Sequence, residues 1–155
     1  MSEIAAQVEP YVPALRRYAW ALLQNDQAAD DLVQDCLERA VTRWPLRRHD
    51  GDLRAWLFAI QRNLYIDGIG YQANRGARTN VQSVQTRNIL SALAALPEDQ
   101  ISILLLVSVE GLSYEEVAQV MQVPAGRVMS RLGEARETVR HVMDSGHSTV
   151  LRSVK

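Results

Sequence analysis

The segment VPAGRVMSRLGEAR, Val123 to Arg136, leaves a proline turn and then carries basic side chains at helical spacing. That pattern suits the second helix of a helix-turn-helix, which enters the major groove with its early residues toward the bases. Val128, Leu132, Ala135 and Val139 share one face and are assigned to the core; Arg127, Met129, Ser130, Arg131, Gly133, Glu134 and Arg136 point outward in varying degrees. Guanidinium groups pair with phosphate or guanine, and a serine hydroxyl bonds either. Gly133 and Glu134 run against this use, one being a poor helix former and the other negative toward phosphate. Outward arginines also serve simply as a solvated face, and tri-helical units also pack on other proteins. A second set interleaves Trp44, Trp56, Phe58, Tyr65 and Tyr71 with Arg54, Arg62, Asn63, Arg75 and Arg78. Aromatic and basic groups so mixed stack on and clamp single-stranded bases. Trp44 and Trp56 sit at core spacing, which leaves Phe58 and Tyr65, off the main stripe, as the rings most available to a ligand.

Other chemistries find little support. The chain has no glycine-rich phosphate loop, no histidine pair at ligand spacing and no Ser, His and Asp grouping in a recognisable context. His49, His141 and His147 fall in a loop, a helix end and a tail. Cys36 is the single cysteine, so it makes no internal disulfide, and its spacing to Leu32, Val33, Leu37 and Ala40 marks it as a core thiol. No enzyme, cofactor, metal or small-molecule substrate is expected. The N-terminal residues MSEIAAQVEPYVP carry acids and prolines where a signal peptide has a basic end and an apolar run, and no stretch has the roughly 20 apolar residues of a membrane span. A cytoplasmic protein without membrane insertion is expected.

The net charge of −1 argues against a protein that coats nucleic acid unaided. Its distribution is more telling: Met1 to Glu38 holds seven acids and two arginines, whereas Gly68 to Pro97 holds three arginines and no acid. Acidic front and basic middle suggest two surfaces for two kinds of partner, although an ordinary solvated surface also fits.

The elements that must position these groups are all helical, because apolar residues recur every three or four positions and rarely alternate. The first helix is expected after Pro13 and ends near Asn25. Asn25 or Asp26 caps the next, whose stripe of Ala29, Leu32, Val33, Cys36, Leu37, Ala40, Val41 and Trp44 leaves Asp30, Asp31, Gln34, Asp35 and Glu38 outward as an acidic strip. Pro45 closes that helix. Asp52 caps a third, carrying Leu53, Trp56, Leu57, Ile60 and Leu64, which stops at Gly68 and Gly70. A short helix with Ile89, Leu90, Leu93 and Leu96 follows, then one that starts at Pro97 and stops at Gly111. Ser113 and Glu116 form a capping box ahead of a helix from Tyr114 to Met121, and a turn at Val123 and Pro124 leads into a long helix from Ala125 to about Met143. The fold expected is all-α, with two small helical domains at 1–70 and 86–145, a polar flexible linker at 71–85 and a frayed tail at 146–155.

Taken in order, AADDLVQDCLERAVTRW, DLRAWLFAIQRNLYIDGI and ALAALPEDQISILLLVSVEGLSYEEVAQVMQVPAGRVMSRLGEARE resemble the two domains of an extracytoplasmic-function sigma factor of bacterial RNA polymerase, across nearly the whole stretch from Leu15 to Met143. The resemblance implies a region 2-like bundle followed by a region 4-like helix-turn-helix, and gives the surfaces roles. Asp31, Gln34, Asp35 and Glu38 become the surface that docks on core RNA polymerase. Arg62, Asn63, Tyr65 and Asp67, with Arg75 and Arg78 in the following loop, become contacts to the melted minus-ten strand. The outward face of the Val123 to Arg136 segment reads the minus-thirty-five promoter DNA as duplex. An anti-sigma factor is the implied controlling partner. Typical members resemble GTVKSRLHRARE where this chain has GRVMSRLGEARE, so Arg127 replaces a threonine, Met129 a basic residue, Gly133 a large side chain and Glu134 an arginine; Ser130, Arg131 and Arg136 remain. The arginine run common after the third helix is reduced to Arg75 and Arg78. These departures weaken both nucleic-acid surfaces and leave two alternatives: a sigma-like decoy that sequesters an anti-sigma factor, and an ordinary two-domain transcriptional regulator.

Overall fold

The computed structural model describes residues 2–47, 51–68 and 96–154, and within them every regular element is helical. Seven α-helices are described: α1 (Ser2–Val8), α2 (Val12–Leu23), α3 (Asp26–Arg43), α4 (Leu53–Ile66), α5 (Glu98–Leu104), α6 (Tyr114–Met121) and α7 (Ala125–Val154). Short 3-10 turns join α1 to α2 and follow α3, and a single π turn, Leu105–Val109, extends α5. The proposed linker and the helix carrying Ile89, Leu90 and Leu93 lie outside the described residues, as do Arg75 and Arg78.

Local chemistry sets the helix ends. The Asn25 side chain accepts from the Ala28 amide at 2.9 Å and Asp52 from the Arg54 amide at 3.1 Å, each satisfying a donor of the first turn that the helix itself leaves open. Ser113 and Glu116 form the reciprocal capping box, at 3.1 and 2.7 Å. Gly68 and Gly111 take positive φ after α4 and after the π turn. Two other stops fall on non-glycine residues: α2 and α6 end at Gln24 and Gln122, both left-handed. That conformation costs an L-residue roughly 1–2 kcal/mol.

The helices α2, α3 and α4 pack on one another around Leu15, Tyr18, Leu22, Leu32, Leu57, Phe58 and Leu64, all buried. A second group, α5, α6 and α7, closes around Ile101, Ile103, Leu106, Val117, Val120, Val128 and Leu132. The two groups meet, α2 lying against α5 and α4 against α6. Cys36 is buried and its thiol faces the Leu57 carbonyl, as its helical spacing predicts. Trp44 and Trp56 meet edge to face with centroids 5.9 Å apart, which makes them packing residues.

Three expectations are corrected. Residues before Pro13 form α1, which lacks the length for a clear apolar period. The last helix, expected to end near Met143, runs on to Val154; Ser145 and Gly146 are weak helix formers, but no proline interrupts the run. Phe58 and Tyr65 are not available rings. Phe58 is fully buried against Tyr18 at 5.7 Å and Tyr65 is only 9% exposed, because α4 is covered by α2 and α3 and again by α6.

Candidate nucleic-acid and polymerase interfaces

On α3 the apolar stripe is turned inward and the acids outward. Asp31, Gln34 and Glu38 are exposed and Asp35 is half-buried, while Leu32, Val33, Cys36 and Ala40 of the same helix are buried. Asp30 pairs with Arg16 of α2 at 2.7 Å, and Asp31 accepts from Gln27 at 3.1 Å. The resulting surface is negative, suited to a basic protein partner.

On α7 the division is equally sharp. Val128, Leu132 and Ala135 are buried and Val139 packs on the core. Arg127, Ser130, Gly133, Glu134 and Arg136 are exposed, Met129 is 63% exposed, and Arg131 is half-buried with a guanidinium nitrogen 3.9 Å from Asp99. Arg127, Arg131 and Glu134 follow one another at spacings of four and three, and so share one stripe. A Cβ on Gly133 would meet nothing within 4 Å, so no close packing demands glycine there.

The end of α4 is different. Asn63 is half-buried and Asp67 exposed, but Arg62 is turned into the junction between the two helical groups. Its Nε and Nη2 donate to the two oxygens of Glu98 on α5 at 2.6 and 2.9 Å, and its side chain is 12% exposed. Glu98 also accepts from the Ser102 hydroxyl one turn later at 2.6 Å, and that hydroxyl shares a second hydrogen bond with the Tyr18 phenol of α2. Burial keeps the Tyr18 phenol protonated well above its ordinary range, with Ser102 only partly opposing the shift. A second arginine, Arg17 of α2, donates through Nε and Nη2 to Glu110 at 2.8 and 2.7 Å, and Arg54 donates to the Glu110 carbonyl at 3.0 Å. The Glu110 side chain is 4% exposed. Near this pair, Asp52 of the α4 cap is hydrogen-bonded to Glu116 of the capping box. Burial and the neighbouring carboxylate raise the Asp52 pKa, and the Asp52 hydrogen bond lowers that of Glu116.

Arg62, Asn63 and Asp67 therefore cluster at one end of α4, with Tyr65 inside the core, and the candidate duplex residues cluster on α7. Sequence reasoning did not point to Arg17, Tyr18, Glu98, Ser102 or Glu110 as a polar set. Arg17 and Tyr18 lie on α2, Glu98 and Ser102 on α5 and Glu110 just past the π turn, so the set spans elements far apart in sequence, and the local signal is the spacing of four between Glu98 and Ser102. Among the described residues no three His, Cys, Asp or Glu side chains gather as a metal site, and no helix is long and apolar enough to cross a membrane.

Residues 8–61 match the family model described as the Sigma2 domain of PhyR, and residues 86–139 match that of sigma-70 region 4. The chain is 31% identical to the ECF RNA polymerase sigma factor EcfG of Rhodopseudomonas palustris, over 92% of this chain and 90% of that one. It is 30% identical to the ECF RNA polymerase sigma factor SigC of Mycobacterium tuberculosis, over 85% and 80%. Among solved structures, the sigma factor RpoE of Bartonella quintana, in complex with the anti-sigma factor NepR, superposes with a TM-score of 0.77 at 25% identity, covering 93% of this chain and 98% of that one. With both sigma domains in order and the likeness running through nearly its whole length, the chain belongs to the family of ECF RNA polymerase sigma factors.

Proposed function

We propose that this sigma factor acts through three surfaces: the α3 strip for core polymerase, the end of α4 for the melted minus-ten strand, and the outward face of α7 for the minus-thirty-five duplex. The observation that carries the reading is the division of α3 and α7 into a buried apolar face and a polar outward face, at the positions the resemblance marks as contacts. Asp31, Gln34, Asp35 and Glu38 meet the polymerase; Arg62, Asn63 and Asp67, with Arg75 and Arg78, meet the strand; Arg127, Met129, Ser130, Arg131 and Arg136 meet the duplex. Bases flipped from the stack need hydrogen-bonding groups, and Asn63 supplies both a donor and an acceptor. The protein has no catalytic role of its own, works where the polymerase works, in the cytoplasm, and is held by an anti-sigma factor, as the Bartonella quintana relative is in its complex with NepR.

A second reading has a specific observation in its favour. Met129 and Glu134 are exposed on the face that should meet DNA, and neither neutralises a phosphate. A decoy that binds an anti-sigma factor without reading promoters would tolerate both. Run-off transcription with purified core polymerase on a library of genomic fragments separates the two. New start sites sharing upstream motifs support the sigma factor reading. Stable core binding without new starts, or no core binding at all, supports the decoy.

A further inference from the structure

We propose that Glu98 is an internal stand-in for a backbone phosphate: its carboxylate occupies the guanidinium fork of Arg62, and the isolated protein thereby keeps its strand-binding face shut until the two domains part. The inference rests on the reading of Arg62 as a strand contact. A guanidinium presents two parallel N–H groups whose spacing suits a carboxylate or a phosphate equally well. Here both are taken, at 2.6 and 2.9 Å, by a residue 36 positions away in the other helical group. No phosphate reaches that fork while Glu98 holds it.

The pair is a built clasp rather than a surface encounter. Ser102 orients Glu98 from one turn along α5, and the Tyr18 phenol ties that serine to the core of the first domain. A second clasp holds the same arrangement, since Arg17 takes both oxygens of Glu110 and Arg54 takes its carbonyl. Three arginines of the first domain thus grip the second. Asp99, next to Glu98, lies 3.9 Å from Arg131, so one turn of α5 places an acid on a candidate contact of each nucleic-acid surface. A protein whose competent form is only a fraction of the population binds more weakly by that fraction, so loosening the clasp raises apparent affinity.

The test uses the full chain and fluorescence anisotropy with a labelled single-stranded oligonucleotide of mixed sequence, because the phosphate contribution does not depend on sequence. The variants are Glu98→Gln, Glu98→Gln combined with Arg62→Gln, and Glu115→Gln, which removes an equal charge from an exposed site of the same domain. Dyes on Gln27→Cys and Gln119→Cys, both exposed positions, report the separation of the domains by energy transfer. Glu98→Gln is expected to lengthen that separation and to tighten binding on the order of 5-fold, with Glu115→Gln changing it less than about 2-fold and the gain disappearing when Arg62 is also replaced. Ser102→Ala, which leaves every charge in place but no longer orients Glu98, should shift binding in the same direction to a smaller extent. Binding by Glu98→Gln and Ser102→Ala that is no tighter than the charge control, with Arg62→Gln still weakening the Glu98→Gln protein, overturns the mask and leaves the strand reading intact. Open domains with binding indifferent to Arg62→Gln overturn the strand reading, and the mask with it. A gain that persists without Arg62 also overturns the mask.

Discussion

Glu134 occupies the stripe of α7 shared by Arg127 and Arg131, with its side chain exposed and its backbone carbonyl accepting from the Thr138 hydroxyl at 2.9 Å. Glu134→Arg exchanges one good helix former for another and leaves that backbone bond unchanged, so the fold is expected to be unaltered. If the face meets duplex DNA, the new guanidinium gains about one phosphate contact. Each such contact steepens the dependence of log K on log salt by about 0.9. Across the fourfold range from 50 to 200 mM salt, the advantage of the variant over the parent should therefore shrink by about 3.5-fold. Glu134→Gln isolates the loss of repulsion: it should bind somewhat tighter than the parent with little change of slope. The assay is anisotropy of a labelled duplex titrated at five or six salt concentrations. Superimposable curves for parent and Glu134→Arg at low salt would show that this stripe does not meet DNA, and would refute the assignment of Arg127 and Arg131 together with it.

Burial raises the Cys36 thiol pKa to about 12, so in the native protein it should react with an aromatic disulfide reagent only as fast as the fold opens, and at once in denaturant. Leu132→Ala empties a fully buried site under α7 and should lower stability by roughly 2–5 kcal/mol, measured by urea unfolding. Asp52→Asn keeps a good N-cap and offers Glu116 an amide donor in place of a second carboxylate. Because the folded pKa of Asp52 is raised, its favourable contribution is present below the ordinary aspartate range and is lost as pH rises through the raised value. The shift of Glu116 runs the other way; its largest cause is the hydrogen bond from Asp52, a donor that the amide of the variant still supplies. The variant should therefore match the parent near pH 3–4 and exceed it at pH 7 by about 0.5 kcal/mol, the size of an exposed charge pair; equal stability at pH 7 would refute the coupling.

What was legible in the chain is what depends on near neighbours. A cap is a contact across two or three residues, so Asn25, Asp52 and the Ser113 and Glu116 box could be read directly, as could Gly111 as a stop. The inward and outward faces of α7 also follow from spacing, because that helix is covered along one stripe. Spacing failed on α4, which is covered from two sides. One apolar stripe accounts for Leu57, Ile60 and Leu64, whereas Phe58 and Tyr65 are buried by neighbours that no local pattern announces.

The all-helical class, the caps, the acidic strip of α3 and the divided face of α7 were thus determined by the sequence alone, because each arises from side chains within a few residues of one another. Only the tertiary structure decided that Arg62 meets Glu98, that Arg17 meets Glu110, and that Tyr18 reaches Ser102. Those partners stand 36, 93 and 84 positions apart, and an arginine in sequence looks the same whether it faces a phosphate or a carboxylate. The packing of the two helical groups makes the choice.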